Sequence, residues 1–142
     1  MKDTVELLKE CDAGLIMATD SLEQVMEYAS AGNFSNMLHK YYDEHQKIKA
    51  DVDKKLRENN AEGKKPNPMG RTASKGMTEM KLMMNDSDQK IADLMMDGCN
   101  MGIKSVSRYM NQYPNSQEDV KQIANNIITL EQNFVNELRQ YL

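Results

Sequence analysis

The stretch Glu58-Asn59-Asn60-Ala61-Glu62-Gly63-Lys64-Lys65-Pro66-Asn67-Pro68 decides how the chain folds. A helical pattern decays there into polar residues, a glycine and two prolines, which free the backbone at one point and remove its donors at others. It is the clearest break in the sequence. Working backwards from it, Leu56, Val52, Ile48, His45, Tyr41, Leu38 and Phe34 recur in steps of three and four, the period of one helical face, and predict a helix over 34–59. Before it, Val5, Leu8, Cys11, Leu15, Ala18, Leu22, Val25 or Met26, and Ala29 make a similar stripe over 4–31. Asp3 with Glu6 reads there as a capping box, Gly32 as the helix stop and Asn33 as the next cap.

Working forwards, Ile91, Leu94, Gly98, Met101, Ser105 and Tyr109 predict a helix over 87–112, opened by a capping box at Asp86 and Gln89 and closed before Pro114. Ser116 reads as the cap of a last helix over 117–141, whose inward face is Val120, Ile123, Ile127, Leu130, Phe134, Leu138 and Tyr141. Each of the four helices is about 25 residues, or about 37 Å. The first and last joins are short and force antiparallel neighbours, whereas the middle one, 60–86, must run the length of the bundle. Within it Met69, Ala73, Met77, Met80 and Met84 keep helical spacing, so a short helix near 70–84 is expected outside the bundle, with a break near Asn85 to Asp88. A rival reading joins 70–112 into one rod, because the stripe stays in phase from Met84 to Ile91. The expected fold is all-α: one ferritin-like four-helix bundle over 1–142, with a long crossover containing a short extra helix.

Composition narrows the function. The chain has 142 residues, enough for one apolar core, with 6% aromatic residues and no Trp. Its net charge of −4 comes from 22 acidic and 18 basic residues mixed along the sequence. No basic stripe with interleaved aromatics is present, so neither nucleic acid nor an anionic membrane is an expected partner. The start lacks the basic flank and apolar run of a signal peptide, and no stretch is long and apolar enough to span a bilayer; a cytoplasmic protein is expected. Cys11 and Cys99 form no CxxC pair and read as reduced, packed thiols.

The order of these elements, with Met80-Lys81-Leu82-Met83-Met84-Asn85-Asp86-Ser87-Asp88, then Ile91-Ala92-Asp93-Leu94 and Asp97-Gly98-Cys99, resembles a bacterial family of ferritin-like four-helix bundles of uncharacterised function. The resemblance covers nearly the whole chain and implies a crossover helix, a polar turn and a third helix with a central glycine followed by an acid. This sequence has Cys99 where that acid is expected, and Met in place of the usual crossover aromatic.

Ferritin-like di-iron sites need Glu-x-x-His on facing helices, a spacing that puts both ligands on one helical face. Here His45 is preceded three residues earlier by Tyr42 and His39 by Asn36, so that centre is not expected. The weak candidates for a smaller metal site are His45, Asp97, Cys99 and Glu131, with Asp12 as a further carboxylate. Met95 and Cys99, four residues apart, are a Cu(I) alternative among the thirteen methionines. Methionine at helical spacing is more simply core or interface filler. No phosphate loop, G-x-S-x-G or paired Cys and His motif appears, so no catalytic or cofactor-binding residue is expected, and no cofactor. The expectation is therefore a metal-free bundle centre, where a neutral, hydrogen-bonded His45 faces Leu15, Ala18, Met101, Ile127 and Leu130. The expected role is a non-catalytic interaction or assembly protein, homo-oligomeric through a Met-rich or helix-end surface; any other protein partner leaves no motif. The alternative role is an atypical ferritin-like metal-binding protein.

Overall fold

The computed structural model describes residues 1–64 and 87–142. Four helices account for most of them: α1 (Lys2–Met26), α2 (Asn33–Glu58), α3 (Asp88–Gln112) and α4 (Glu118–Leu138), with a 3-10 turn at Arg139–Tyr141. No strand lies among the described residues. The expected crossover helix near 70–84 falls outside them. The break before α3 falls inside, because Ser87 has an extended ψ of 154° and its hydroxyl accepts from the Lys90 amide at 3.2 Å. A continuous rod through that position is thereby overturned.

Each helix packs on two neighbours: α1 on α2 and α3, and α4 on α2 and α3. Contacts at the ends give the directions. Ser30, just past α1, binds Asp88 at the start of α3 through its amide at 3.0 Å, and Lys55 near the end of α2 meets Asp119 at the start of α4 at 2.6 Å. All four neighbouring pairs are therefore antiparallel. Since α2 ends beside the start of α1 and α3 begins beside its end, residues 59–87 connect opposite ends of the bundle. This is a short, long, short connection order.

Helix ends are set by bonds that the local sequence does not announce. The N-cap of α1 is Met1, and Asp3 is no capping box; its carboxylate accepts instead from the Asn115 amide at 3.0 Å in the α3–α4 turn. Thr4, fully buried, accepts from the Gln117 amide at 2.9 Å and so satisfies one of the free donors at the start of α4. Ser116 therefore does not cap α4; its hydroxyl donates to the Tyr113 carbonyl at 2.9 Å. Gly32, at φ 103°, lies in the region L side chains avoid and serves as the N-cap of α2 in place of Asn33. At the other end of α2, Asn60 takes φ 53° while Ala61 and Asn60 amides bond to the Leu56 and Arg57 carbonyls, a Schellman stop.

The core has two apolar clusters along the bundle axis. One joins Leu22, Val25, Phe34, Leu38, Tyr41, Ile91, Phe134 and Leu138, and the other Leu7, Leu8, Leu15, Val52, Leu56, Val106, Val120 and Ile127. The inward faces of α2 and α4 follow the expected stripes. That of α3 does not: Ile91, Ala92, Met95, Cys99 and Val106 are buried, whereas Gly98 is exposed and Met101 is 68% exposed. The face is built around small residues and turned away from the expected one, so Met101 cannot face the bundle centre. In α1 Leu15 is buried as expected, but the next inward residue is Thr19, whose hydroxyl donates to the Leu15 carbonyl at 3.0 Å, while Ala18 is half-buried.

Candidate functional site

At the level where the two apolar clusters meet, α2 and α4 bring together a histidine and a carboxylate. His45 is 1% exposed and Glu131 is 6% exposed. The ring folds back along its own helix, so that Nδ1 donates to the Tyr41 carbonyl at 2.6 Å, and Nε2 meets the Glu131 carboxylate across the bundle. Both ring nitrogens thus face acceptors. A neutral imidazole carries one N–H and can satisfy one of them, whereas the imidazolium satisfies both. Burial pulls the His45 value down, but the bond to Glu131, its charge and the Tyr41 carbonyl outweigh that and hold it above an ordinary histidine. His45 is hydrogen-bonded as expected, but the expectation that no carboxylate faces it is corrected: its partner is an acid 86 residues away.

The walls of this pair are aromatic and small. Tyr41 and Phe134 stack at 4.3 Å with their planes 7° apart, and His45 meets Phe134 edge-on at 6.4 Å. From α3, Cys99 and Gly102 complete the enclosure. A Cβ at Gly102 would lie 3.9 Å from Glu131 Oε2, an ordinary contact distance, so this position faces the carboxylate directly. Burial, and then the Glu131 charge, push the Cys99 thiol far above its ordinary value. The protonated thiol is thereby the favoured form.

Of the weak metal candidates, the fold sets Glu131 against His45 and also against Cys99, and leaves Asp97 exposed on the outside of α3. Nitrogen, oxygen and sulfur donors are the set a borderline cation such as Zn(II) takes. Among the described residues, however, no group of three or more His, Cys, Asp or Glu is arranged to hold a metal ion. The ring nitrogens of His45 are already engaged, and a cation would have to displace their protons. Met95 and Cys99 both point inward from α3, at 6% and 3% exposure.

Asp12 does not join that centre. It is 4% exposed and binds Lys49 at 3.1 Å, which in turn binds Asp53 at 3.1 Å. Burial raises the Asp12 carboxyl against the opposing pull of Lys49. Gly63 lies so close that an added Cβ would stand 2.1 Å from Asp12 Oδ2. Cys11, beside it, is pushed up to about 12 by burial and by Glu10 and Asp12. Every buried polar side-chain atom among the described residues has a partner.

The outer surface of α4 differs from that of its neighbours. After Glu118 and Asp119, every exposed residue of α4 is uncharged: Gln122, Asn125, Asn126, Thr129, Gln132, Asn133 and Asn136. The exposed positions of α2 and α3 carry charges of both signs along their length. No helix among the described residues is long and apolar enough to cross a membrane. In comparisons with known proteins, no family model, no curated protein and no solved structure matches the chain, so the four-helix bundle stands on its own geometry.

Proposed function

We propose that this protein is a non-catalytic helical-bundle module that acts by self-association, with the buried charged pair serving the fold. The observation that carries the reading is the uncharged outer face of α4 in a chain where 28% of residues are charged. Helix exteriors that meet only water are ordinarily charged, so a bare amide face marks a surface kept free of repulsion. The interior supports the same reading. His45 and Glu131 are spent on each other, both cysteines are held as thiols by burial, and such groups offer a substrate neither nucleophile nor free base. The short, long, short connection order supports a place among ferritin-like bundles such as the bacterial family the sequence resembles. Two buried, unpaired cysteines suit a reducing compartment such as the cytoplasm. The test is light scattering of the full chain over a wide range of concentration: a dimer or larger assembly is expected, and a strict monomer throughout refutes the reading.

A second reading rests on Glu131 standing against both His45 and Cys99. It makes the protein a metal-binding bundle with an atypical site. Elemental analysis of protein purified without chelator or histidine tag separates the two. Metal at background is expected; stoichiometric metal that is lost in His45→Leu replaces the first reading with the second.

A further inference from the structure

We propose that two copies of this chain pair through α4, helix against helix and antiparallel, across a two-fold axis at Thr129. The proposal rests on the self-association reading and supplies its surface. A two-fold interface sets each patch against its own copy, so it must be self-complementary. A stripe of one charge sign fails that condition, but an amide carries donor and acceptor together and can bond to another amide in either orientation. The exposed face of α4 meets the condition from Gln122 to Asn136.

Its layout about Thr129 is also symmetric in chemistry. Asn126 and Gln132 lie three residues either side, Asn125 and Asn133 four, and Gln122 and Asn136 seven. Antiparallel pairing sets each beside an amide of the other copy. Thr129, the smallest member, occupies the crossing point, where close approach of two helix axes is set by side-chain size. The charges fall at the ends. Glu118, with a side chain 90% exposed, lies eleven residues before Thr129, and the exposed Arg139 lies ten after it. Arg139 has no ion pair among the described residues, whereas Glu118 reaches only Lys121 within its own helix, at 3.4 Å. The antiparallel arrangement brings Glu118 of each copy to Arg139 of the other. A parallel arrangement would set like charges together at both ends.

Cysteine cross-linking of the full chain tests the geometry. Cys11 and Cys99 are 2% and 3% exposed and do not compete. Thr129→Cys places two thiols at the axis, within reach of a disulfide, while Gln122→Cys places them about 20 Å apart along the helix, so mild oxidation should link the first at least ~10-fold faster. Arg139→Glu should weaken dimerisation about 5-fold and the added Glu118→Arg should restore it. Equal cross-linking of the two cysteine variants, in a chain that light scattering shows to be dimeric, overturns the α4 axis and leaves self-association standing. A monomer at every concentration overturns both. An unrestored double charge variant overturns the antiparallel direction.

Discussion

Glu131→Leu takes the carboxylate away from a histidine that is 1% exposed, and leaves Nδ1 on the Tyr41 carbonyl. The stranded ring escapes its charging cost by losing a proton. Against an ordinary histidine near 6.5 that escape costs almost nothing above about pH 7 and about 2 kcal/mol at about pH 5. An unsatisfied ring nitrogen adds about 1–3 kcal/mol at either pH. His45→Leu strands the acid instead. A buried carboxyl without a partner takes up a proton, which against an ordinary glutamate near 4.3 costs up to about 4 kcal/mol at about pH 7 and about 1 kcal/mol at about pH 5. The two single variants should therefore respond to pH in opposite directions, with Glu131→Leu the more stable in mild alkali and His45→Leu the more stable in mild acid. The double variant strands neither group and should lie close to the parent or above it, since replacing a buried pair whole is often neutral or stabilising. Urea unfolding followed by circular dichroism at the two pH values reads all four proteins. Parallel pH dependences of the single variants, or a double variant as unstable as the sum of both, would refute the pairing argument. In the parent, the sign follows from the raised His45 value: its contribution is fully present below about 6.5 and is lost as pH rises through the folded value.

Gly102→Ala should stabilise the fold by about 0.5–1 kcal/mol, because it sits inside α3 and its new Cβ meets Glu131 at ordinary contact distance; a loss of stability would show that the carboxylate needs more room than 3.9 Å gives. Gly63→Ala should cost about 1–3 kcal/mol through the 2.1 Å clash with Asp12, and pairing it with Asp12→Ala should recover part of that loss in thermal melts. Thr4→Val should cost about 1 kcal/mol by taking the acceptor from the Gln117 amide, with hydrogen exchange at that amide accelerated; unchanged exchange would count against the bond.

The helical content and its connection order were legible because α2 and α4 carry large apolar residues at unbroken helical spacing. The phase of α3 was not. Its inward face uses Ala92, Cys99 and Gly102, while Leu94 and Met101 lie off it, so a search for large apolar residues follows the wrong line. The site was half legible. His45 stands out on its stripe and Glu131 is a weak candidate ligand, but nothing local joins residues 86 apart in sequence. One signal did exist: between Asp119 and Glu137, Glu131 is the sole acid of α4, four residues after Ile127 and three before Phe134 on the buried face. A lone acid there requires a partner inside. The capping residues misled for a related reason, since Asp3 and Thr4 have the right chemistry and spend it on a turn more than a hundred residues away.

Those two bonds bear on the order in which the protein assembles. The α1–α2 and α3–α4 pairs are each joined by a short turn and can form from local contacts, which cost little loop entropy. The bonds from Asp3 and Thr4 to the α3–α4 turn, from Ser30 to Asp88 and from His45 to Glu131 all run between the two hairpins, at the foot, the head and the middle of the bundle. They can close only when the hairpins dock. Docking is thus expected to follow the folding barrier, so weakening any of these three fastenings should speed unfolding while leaving the rate of folding nearly unchanged.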